Sequence, residues 1–246
     1  MRLAVAAALL AVLALAAGVA ASVLDTLPVG PFSTAAPGGA FPAGWEPLTF
    51  EKIPRHTAYR LVDDGGSTGV RAEAHASASG MIRRVRIDPR QYPIVEWRWR
   101  ALKLPEGNDP RTRAGDDYGA RVYIAFEFDR QRAGALESLA FDAAKLLYGA
   151  YPPSASLNYV WDAALPPGTA FPSPYTERNR IVVVTSGAPR DAGWVSVRRN
   201  VLEDYRSAFG AEAPMIEGVA IMTDADNTGG RAEALYGDIV FRKSTP

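Results

Sequence analysis

Short segments in which apolar and polar residues alternate run through the sequence from Trp45 onward. Successive side chains of a β-strand point to opposite faces, so this period of two predicts strands with one dry and one wet face. The pattern is clearest where Trp97 and Trp99 alternate with charged residues. Eleven segments of this kind are predicted strands: Trp45–Phe50, Thr57–Asp63, Val70–Ala76, Met81–Asp88, Ile94–Ala101, Tyr118–Phe128, Leu157–Trp161, Arg180–Ser186, Trp194–Arg198, Ile216–Asp224 and Ala234–Arg242.

Strands with one wet face are typical of antiparallel sheets. Turn-forming residues separate the segments, for example at 63–66 and at Gly229-Gly230. Many short strands with such breaks predict an all-β fold, a two-sheet antiparallel β-sandwich of the jelly-roll type.

Two helices are predicted to be inserted between the strands. At about 130–149, leucines and alanines recur with the helical period. At 200–209, Asn200 is a candidate N-cap, Glu203 stands where a capping box needs it, and Gly210 follows as the C-terminal stop.

Composition excludes several classes of protein. The 246 residues include no Cys and two His, and Lys plus Arg equal Asp plus Glu at 27 each. Without cysteine there is no disulfide framework or thiol nucleophile, and without net charge there is no basic excess for nucleic acid. The phosphate-binding loop G-x-x-x-x-G-K-[ST] and the nucleophile motif G-x-S-x-G are also absent. We therefore expect neither nucleic-acid nor nucleotide binding, nor serine-based hydrolysis.

Residues 1–21 are predicted to be a signal peptide. Arg2 supplies the positive start, the apolar run Leu3–Ala17 follows, and small residues up to Ala21 suit cleavage there. The alternative is that this run is retained as a membrane anchor. After cleavage no stable membrane span is expected, and the protein would be exported, either periplasmic or secreted. Residues 22–40 form a lead-in segment rich in Pro and Gly, and 41–246 form a single β-sandwich domain.

Two acidic motifs are candidate sites. Asp116 and Asp117 lie where a loop enters a predicted strand, and Asp224, Asp226 and Asn227 lie in a turn. Carboxylate and amide oxygens are suitable ligands for Ca²⁺, so the second motif is a candidate structural calcium site. The alternative is an Asx-type turn, in which these side chains bond to their own backbone. No other cofactor is expected.

Aromatic and polar residues also occur together in a way that suits sugar recognition. A planar ring can cover the apolar face of a pyranose while neighbouring polar groups bind its hydroxyls. Trp97 and Trp99 are expected in the core, whereas Tyr159 and Trp161 end a strand beside a Pro-rich loop. The candidate ligand-binding residues are Arg98, Asp116, Asp117, Arg121, Asn158, Tyr159, Trp161 and Arg199. The alternative for the Arg and Asp residues is a structural network of ion pairs.

These residues leave three functions open. The first is non-catalytic binding of a polar ligand such as a carbohydrate. The second is a glycan-cleaving enzyme that uses a pair of carboxylates, drawn from Asp116, Asp117, Glu127 and Asp224. The third is a structural or envelope-interaction protein without a small ligand, which would show an exposed apolar patch instead of a pocket.

A family resemblance covers about Phe41 to Arg242. The chain resembles the uncharacterised bacterial family catalogued as domain-of-unknown-function family 3047 (DUF3047). The resemblance implies a secreted or periplasmic bacterial protein of one domain, and it implies no catalytic residues. The motifs that carry it are Tyr92-Pro93-x-x-Glu96-Trp97-Arg98-Trp99, Gly115-Asp116-Asp117-Tyr118-x-Ala120-Arg121, Asn158-Tyr159-Val160-Trp161, Arg198-Arg199-Asn200-Val201-x-Glu203-Asp204-Tyr205, Gly218-Val219-Ala220-Ile221-Met222-Thr223-Asp224-x-Asp226-Asn227-Thr228 and Tyr236-Gly237-Asp238-Ile239.

Overall fold

The computed structural model describes residues 25–129, 153–189 and 193–244, together with residues 134, 135, 139, 141 and 142. Within these residues the chain forms strands and one well-defined helix, α1 (Val201–Phe209), with short 3-10 turns at Phe32–Thr34 and Arg113–Gly115. The strands are β1 (Thr26–Gly30), β2 (Trp45–Leu48), β3 (Ala58–Asp63), β4 (Thr68–His75), β5 (Ala78–Ile87), β6 (Ile94–Lys103), β7 (Ala120–Phe126), β8 (Ala155–Asp162), β9 (Ala170–Ser173), β10 (Thr176–Ser186), β11 (Val195–Asn200), β12 (Ile216–Asp224) and β13 (Arg231–Arg242).

The strands form two sheets. The first sheet has the order β11-β6-β13-β4-β3, with β1 also paired to β13. The second sheet has the order β2-β5-β12-β7-β8-β10-β9. The strand pairs are antiparallel except for β8 with β10, which run parallel. The predicted β-sandwich is therefore confirmed.

Aromatic side chains from both sheets fill the core. Trp97 and Trp99 of β6 point inward from the first sheet, as predicted, and are buried. They meet Tyr159 and Trp161 of β8 in the second sheet, at ring-centroid distances of 5.3 Å for Trp97–Tyr159 and 6.1 Å for Trp99–Trp161. Tilted aromatic contacts at these distances add to the free energy gained by burial.

Each of the eleven predicted strands overlaps an observed one. The structure adds β1, within the predicted lead-in segment, and β9, at one edge of the second sheet. Both contain a proline, Pro28 in β1 and Pro172 in β9, which weakens the sequence signal for a strand. Because β1 pairs with β13 and Phe32 lies in the core, residues 26–34 are packed against the sandwich.

Helix α1 has the predicted ends. The Asn200 side chain accepts hydrogen bonds from the backbone nitrogens of Leu202 and Glu203, and its amide donates to Glu203 Oε1 at 2.7 Å. Gly210 closes the helix in the left-handed conformation, with φ of 66°. The other predicted helix, 130–149, lies largely outside the described residues, as does the predicted signal peptide. Across the described part of the chain, no helix is both long and apolar enough to cross a membrane.

Candidate functional site

The two acidic motifs come together at one end of the second sheet. Asp116 and Asp117 precede β7, and Asp224 ends β12, which pairs antiparallel with β7. Carboxylate oxygens of Asp117, Asp224 and Asp226 lie within 4.8 Å of one another. We call Asp116, Asp117, Asp224 and Asp226 the acidic cluster.

Arg121 is the cation of the acidic cluster. Its Nε donates to Asp224 Oδ1 at 2.8 Å, and its Nη2 donates to Asp224 Oδ2 and to the carbonyl oxygen of Asp116. Its guanidinium lies over the ring of Tyr118, 4.3 Å from the centroid. Arg121 is only 2% exposed because the Tyr118 ring and the Asp224 carboxylate cover it.

Asp117 links the loop before β7 to the turn after β12. Its Oδ2 accepts from the backbone nitrogen of Thr228 at 2.7 Å, and its Oδ1 accepts from the backbone nitrogen and the amide Nδ2 of Asn227, both at 3.2 Å. The Oδ1 of Asn227 accepts from the Tyr175 hydroxyl at 3.0 Å. Backbone bonding of the kind expected in an Asx turn is thus present, but a carboxylate from the other motif provides it.

The acidic cluster carries more negative charge than Arg121 can neutralise. Burial raises the pKa of the Asp224 carboxyl to about 7 although Arg121 opposes the shift, and it also raises the pKa of Asp116 and Asp226. Asp116 Oδ1 has no hydrogen-bond partner among the described residues and lies 3.6 Å from Arg121 Nη1. Binding of a proton or a cation would relieve this repulsion. The calcium site predicted at Asp224, Asp226 and Asn227 stays a prediction, and Asp117 joins its candidate ligands.

The predicted stacking residues are not available to a ligand. Tyr159 is fully buried and Trp161 is 4% exposed, because their rings pack in the core against the tryptophans of β6. Their polar atoms are also used: the Tyr159 hydroxyl donates to Asp204 Oδ2 at 2.7 Å, and Trp161 Nε1 donates to the Gly187 carbonyl at 2.8 Å. The prediction that these two rings stack on a sugar is wrong.

Two other predicted ligand-binding residues lie on the first sheet, away from the acidic cluster, and a third, Asn158, lies beside Tyr123 on the second sheet. Arg98 is on the first sheet, where it donates to Ser67 Oγ and lies over the Trp194 ring. Arg199, also on the first sheet, pairs with Asp204. Asn158 is fully buried in β8. Of the eight predicted residues, Asp116, Asp117 and Arg121 belong to the acidic cluster, and Asn158 is a diagonal neighbour of Arg121 on the adjacent strand. The other four lie on the first sheet or point into the core.

The four predicted catalytic carboxylates do not form one site. Asp116, Asp117 and Asp224 are buried in the acidic cluster. Glu127 lies beyond the opposite end of β7, about 20–30 Å away along the strand. There it accepts from Arg86 Nε at 2.6 Å and Nη2 at 3.1 Å. Glu127 therefore cannot pair with any of the other three, and a pair within the acidic cluster would have to act from side chains that are at most 6% exposed.

A groove of about 800 Å³ lies on the outer face of the second sheet. Side chains of the central strands β5, β7 and β12 form its floor, and much of its lining is apolar, including Phe50, Ile82 and Met222. The Phe50 ring is 36% exposed. Among the described residues, the charged ones that line the groove are Arg84, Glu127 and Glu217.

Glu217 enters the groove through a β-bulge in β12. Its neighbours Ile216 and Gly218 pair with Phe126 and Ala125, which are consecutive, so Glu217 is the extra residue. Burial and the nearby Glu127 raise the pKa of its carboxyl to about 7, although Arg84 opposes the shift. The sequence analysis missed Glu217. A Glu-Gly pair within an otherwise apolar strand was the signal that could have revealed it.

The model of the family described as "Protein of unknown function (DUF3047)" matches residues 43–240, and the chain belongs to this family. No curated protein matches the sequence. Several solved structures are similar in part. One is the glycoside hydrolase domain of Endo-D from Streptococcus pneumoniae R6, at 9% identity and a TM-score of 0.31. The match covers 82% of this chain but 22% of that one, so this chain spans about a fifth of its length.

Another similar structure is a thermostable cellulase derived from Cel12A of Rhodothermus marinus, at 11% identity and a TM-score of 0.36. That match covers 88% of this chain and 99% of the cellulase. Both scores are low, and we draw no argument from either likeness.

Proposed function

We propose that this member of DUF3047 is an exported protein that binds a carbohydrate in the groove of the second sheet. The observation that carries the proposal is the combination of an exposed aromatic ring, apolar walls and a few charged groups within one groove. A volume of about 800 Å³ is in the range of small-molecule sites, which are mostly apolar with a few well-placed polar groups.

The chemistry of the lining suits a sugar better than a purely apolar ligand. A pyranose has C–H faces that pack on rings and alkyl groups, and hydroxyls around its rim. Phe50 offers such a ring, while Arg84, Glu127 and Asn179 offer donors and acceptors along the same groove. Phe50 therefore takes the role that the sequence analysis gave to Tyr159 and Trp161.

Isothermal titration calorimetry with xylohexaose, cellohexaose and maltohexaose tests the proposal on protein expressed from the full chain. We expect one of these oligosaccharides to bind, and we expect Phe50→Ala to weaken that binding about two- to twelvefold, since an aromatic contact contributes roughly 0.5–1.5 kcal/mol.

Tyr175→Ala is the matched control, because Tyr175 is a second exposed aromatic residue and does not line the groove. Its affinity should equal that of the wild type. Absence of binding to every oligosaccharide, or equal loss in both variants, would contradict the proposal.

A further inference from the structure

Two glutamates lie diagonally to each other on neighbouring strands that line the groove. Glu127 is the residue immediately after β7, and Glu217 lies in β12. These two strands pair antiparallel. The backbone nitrogen of Glu127 donates to the Met215 carbonyl at 2.8 Å, which extends this pairing past the bulge. Paired strands lie ~4.8 Å apart, so both carboxyls reach the same part of the groove.

The two carboxyls have different surroundings. The guanidinium of Arg86 holds the Glu127 carboxylate with two hydrogen bonds, at 2.6 Å from Nε and 3.1 Å from Nη2. Glu217 is partly buried and has no hydrogen-bond partner within the described residues. The charged groups that face it are Arg84 from β5 and Glu127 from β7, and burial with the Glu127 charge raises its pKa to about 7.

This difference in surroundings suits one carboxyl group to donate a proton and the other to accept one. A carboxyl group whose pKa is raised toward neutrality can donate a proton, and a second carboxylate in the same groove can accept one. Hydrolysis of a glycosidic bond is one reaction that uses an acid and a carboxylate on either side of the bond that breaks. No histidine lines the groove among the described residues, so the proton transfers fall to the carboxyls.

We propose that the groove hydrolyses a glycosidic bond, with Glu217 as the general acid and Glu127 as the general base. This inference rests on the proposed binding of carbohydrate in the same groove. Glu217 protonates the oxygen of the leaving sugar as its bond to the anomeric carbon breaks. Glu127 takes a proton from the water whose oxygen forms the new bond to that carbon. One water is consumed, two hydroxyl products form, and a proton passes from Glu127 to Glu217 through solvent to restore the pair.

The test measures binding and cleavage separately, with soluble xylan, carboxymethyl cellulose and starch as the probes. Release of reducing ends is followed from pH 4 to pH 9, and binding of the same polysaccharides is measured by affinity electrophoresis. We expect the wild type to cleave one of them, with a rate that falls above about pH 7 as Glu217 loses its proton.

Glu217→Gln and Glu127→Gln should each lower the cleavage rate by about 10²–10⁴-fold while binding changes by less than a factor of about three. Glu212→Gln is the matched control, since Glu212 is an exposed glutamate that pairs with Arg206 and does not line the groove. It should cleave at the wild-type rate.

The outcomes separate this inference from the proposed function. A polysaccharide that binds but is not cleaved at any pH would overturn the catalytic pair and leave the binding function in place. A Glu217→Gln variant that cleaves at the wild-type rate would also overturn it. Binding of none of the oligosaccharides or polysaccharides would overturn the proposed function and the inference together.

Discussion

The acidic cluster and the groove lie next to each other on the outer face of the second sheet, yet they use their charges in opposite ways. Tyr123 connects them, because its ring lines the groove and its hydroxyl accepts from Arg121 Nη1 at 3.2 Å. In the acidic cluster, the polar atoms of Arg121 and Asp117 form hydrogen bonds with other groups of the protein. In the groove, Glu217 lines the cavity and has no hydrogen-bond partner among the described residues.

This difference shows that dense polar motifs in a sequence can mark scaffold as well as site. Asp116, Asp117 and Arg121 belong to the motif that stood out most clearly in the sequence, but they join two loops beneath the surface. Glu217 stands in an ordinary strand segment and is directed toward the groove by one extra backbone residue. Three predictions test how far the two regions differ.

The largest expected effect is on stability, from Arg121→Met. Removing one partner of a buried ion pair leaves the other charge uncompensated, which typically costs about 3–5 kcal/mol. For a domain of this size that lowers the melting temperature by roughly 6–20 °C. Arg206→Met is the control, because it breaks the exposed pair with Glu212 and should cost less than about 1 kcal/mol. Similar melting temperatures for both variants would show that the acidic cluster does not contribute more than a surface pair.

Calcium is expected to have a smaller effect. If the carboxylates of Asp117, Asp224 and Asp226 bind Ca²⁺ with a Kd near ~1 mM, then 10 mM Ca²⁺ should stabilise the fold by roughly 1.4 kcal/mol. Differential scanning calorimetry with Ca²⁺ and with chelator measures the difference. Asp226→Asn should remove it and serves as the control. Equal melting temperatures in both solutions would show that Arg121 and bound protons are enough to balance the charge of the acidic cluster.

The smallest effect concerns pH and the groove. The folded state raises the pKa of Glu217 to about 7 from its ordinary 4.5, so it binds a proton that the unfolded state releases. Stability from this group is full below pH ~4.5 and is lost as the pH rises through about 7. Glutamine does not ionise, so Glu217→Gln should melt at the wild-type temperature at pH 4.5 and about 2–4 °C higher at pH 8. This corresponds to about 1 kcal/mol after allowance for solvent screening.

Asp224 also has a raised pKa, but it is present in both the wild type and the Glu217→Gln variant. The difference between their melting temperatures therefore reports Glu217 alone. If Glu217→Gln melts lower than the wild type at pH 8, the carboxylate is stabilised in the groove and its assignment as the acid fails.

Most of the fold could be predicted from local patterns. The alternation around Trp97 and Trp99 identified the dry face of β6, and the cap residues Asn200 and Gly210 identified both ends of α1. These signals are local because side-chain direction and backbone capping depend on residues a few positions apart. The strands β1 and β9 escaped prediction because their pairing partners, not their own proline-containing sequences, make them strands.

Less of the candidate site could be predicted. Tyr159 and Trp161 suited a sugar site by residue type, but both side chains lie on the inward face of β8, where the tryptophans of β6 cover them. Alternation indicates that residues share a face and does not indicate which face meets the other sheet. The same limit applied to Arg121: its side chain leaves the outer face of β7, but the Tyr118 ring covers the guanidinium.

The sequence by itself determined the all-β class, the positions of most strands and the membership of DUF3047, since these depend on periodicity and on motifs along the chain. Only the tertiary structure decided which polar groups are buried as scaffold and which face a groove. Pairing of β7 with β12 brings Asp116 near Asp224 at one end and Glu127 near Glu217 at the other. Residues about a hundred positions apart become neighbours only when the strands pair. No local sequence pattern indicates that such distant residues will be close in space.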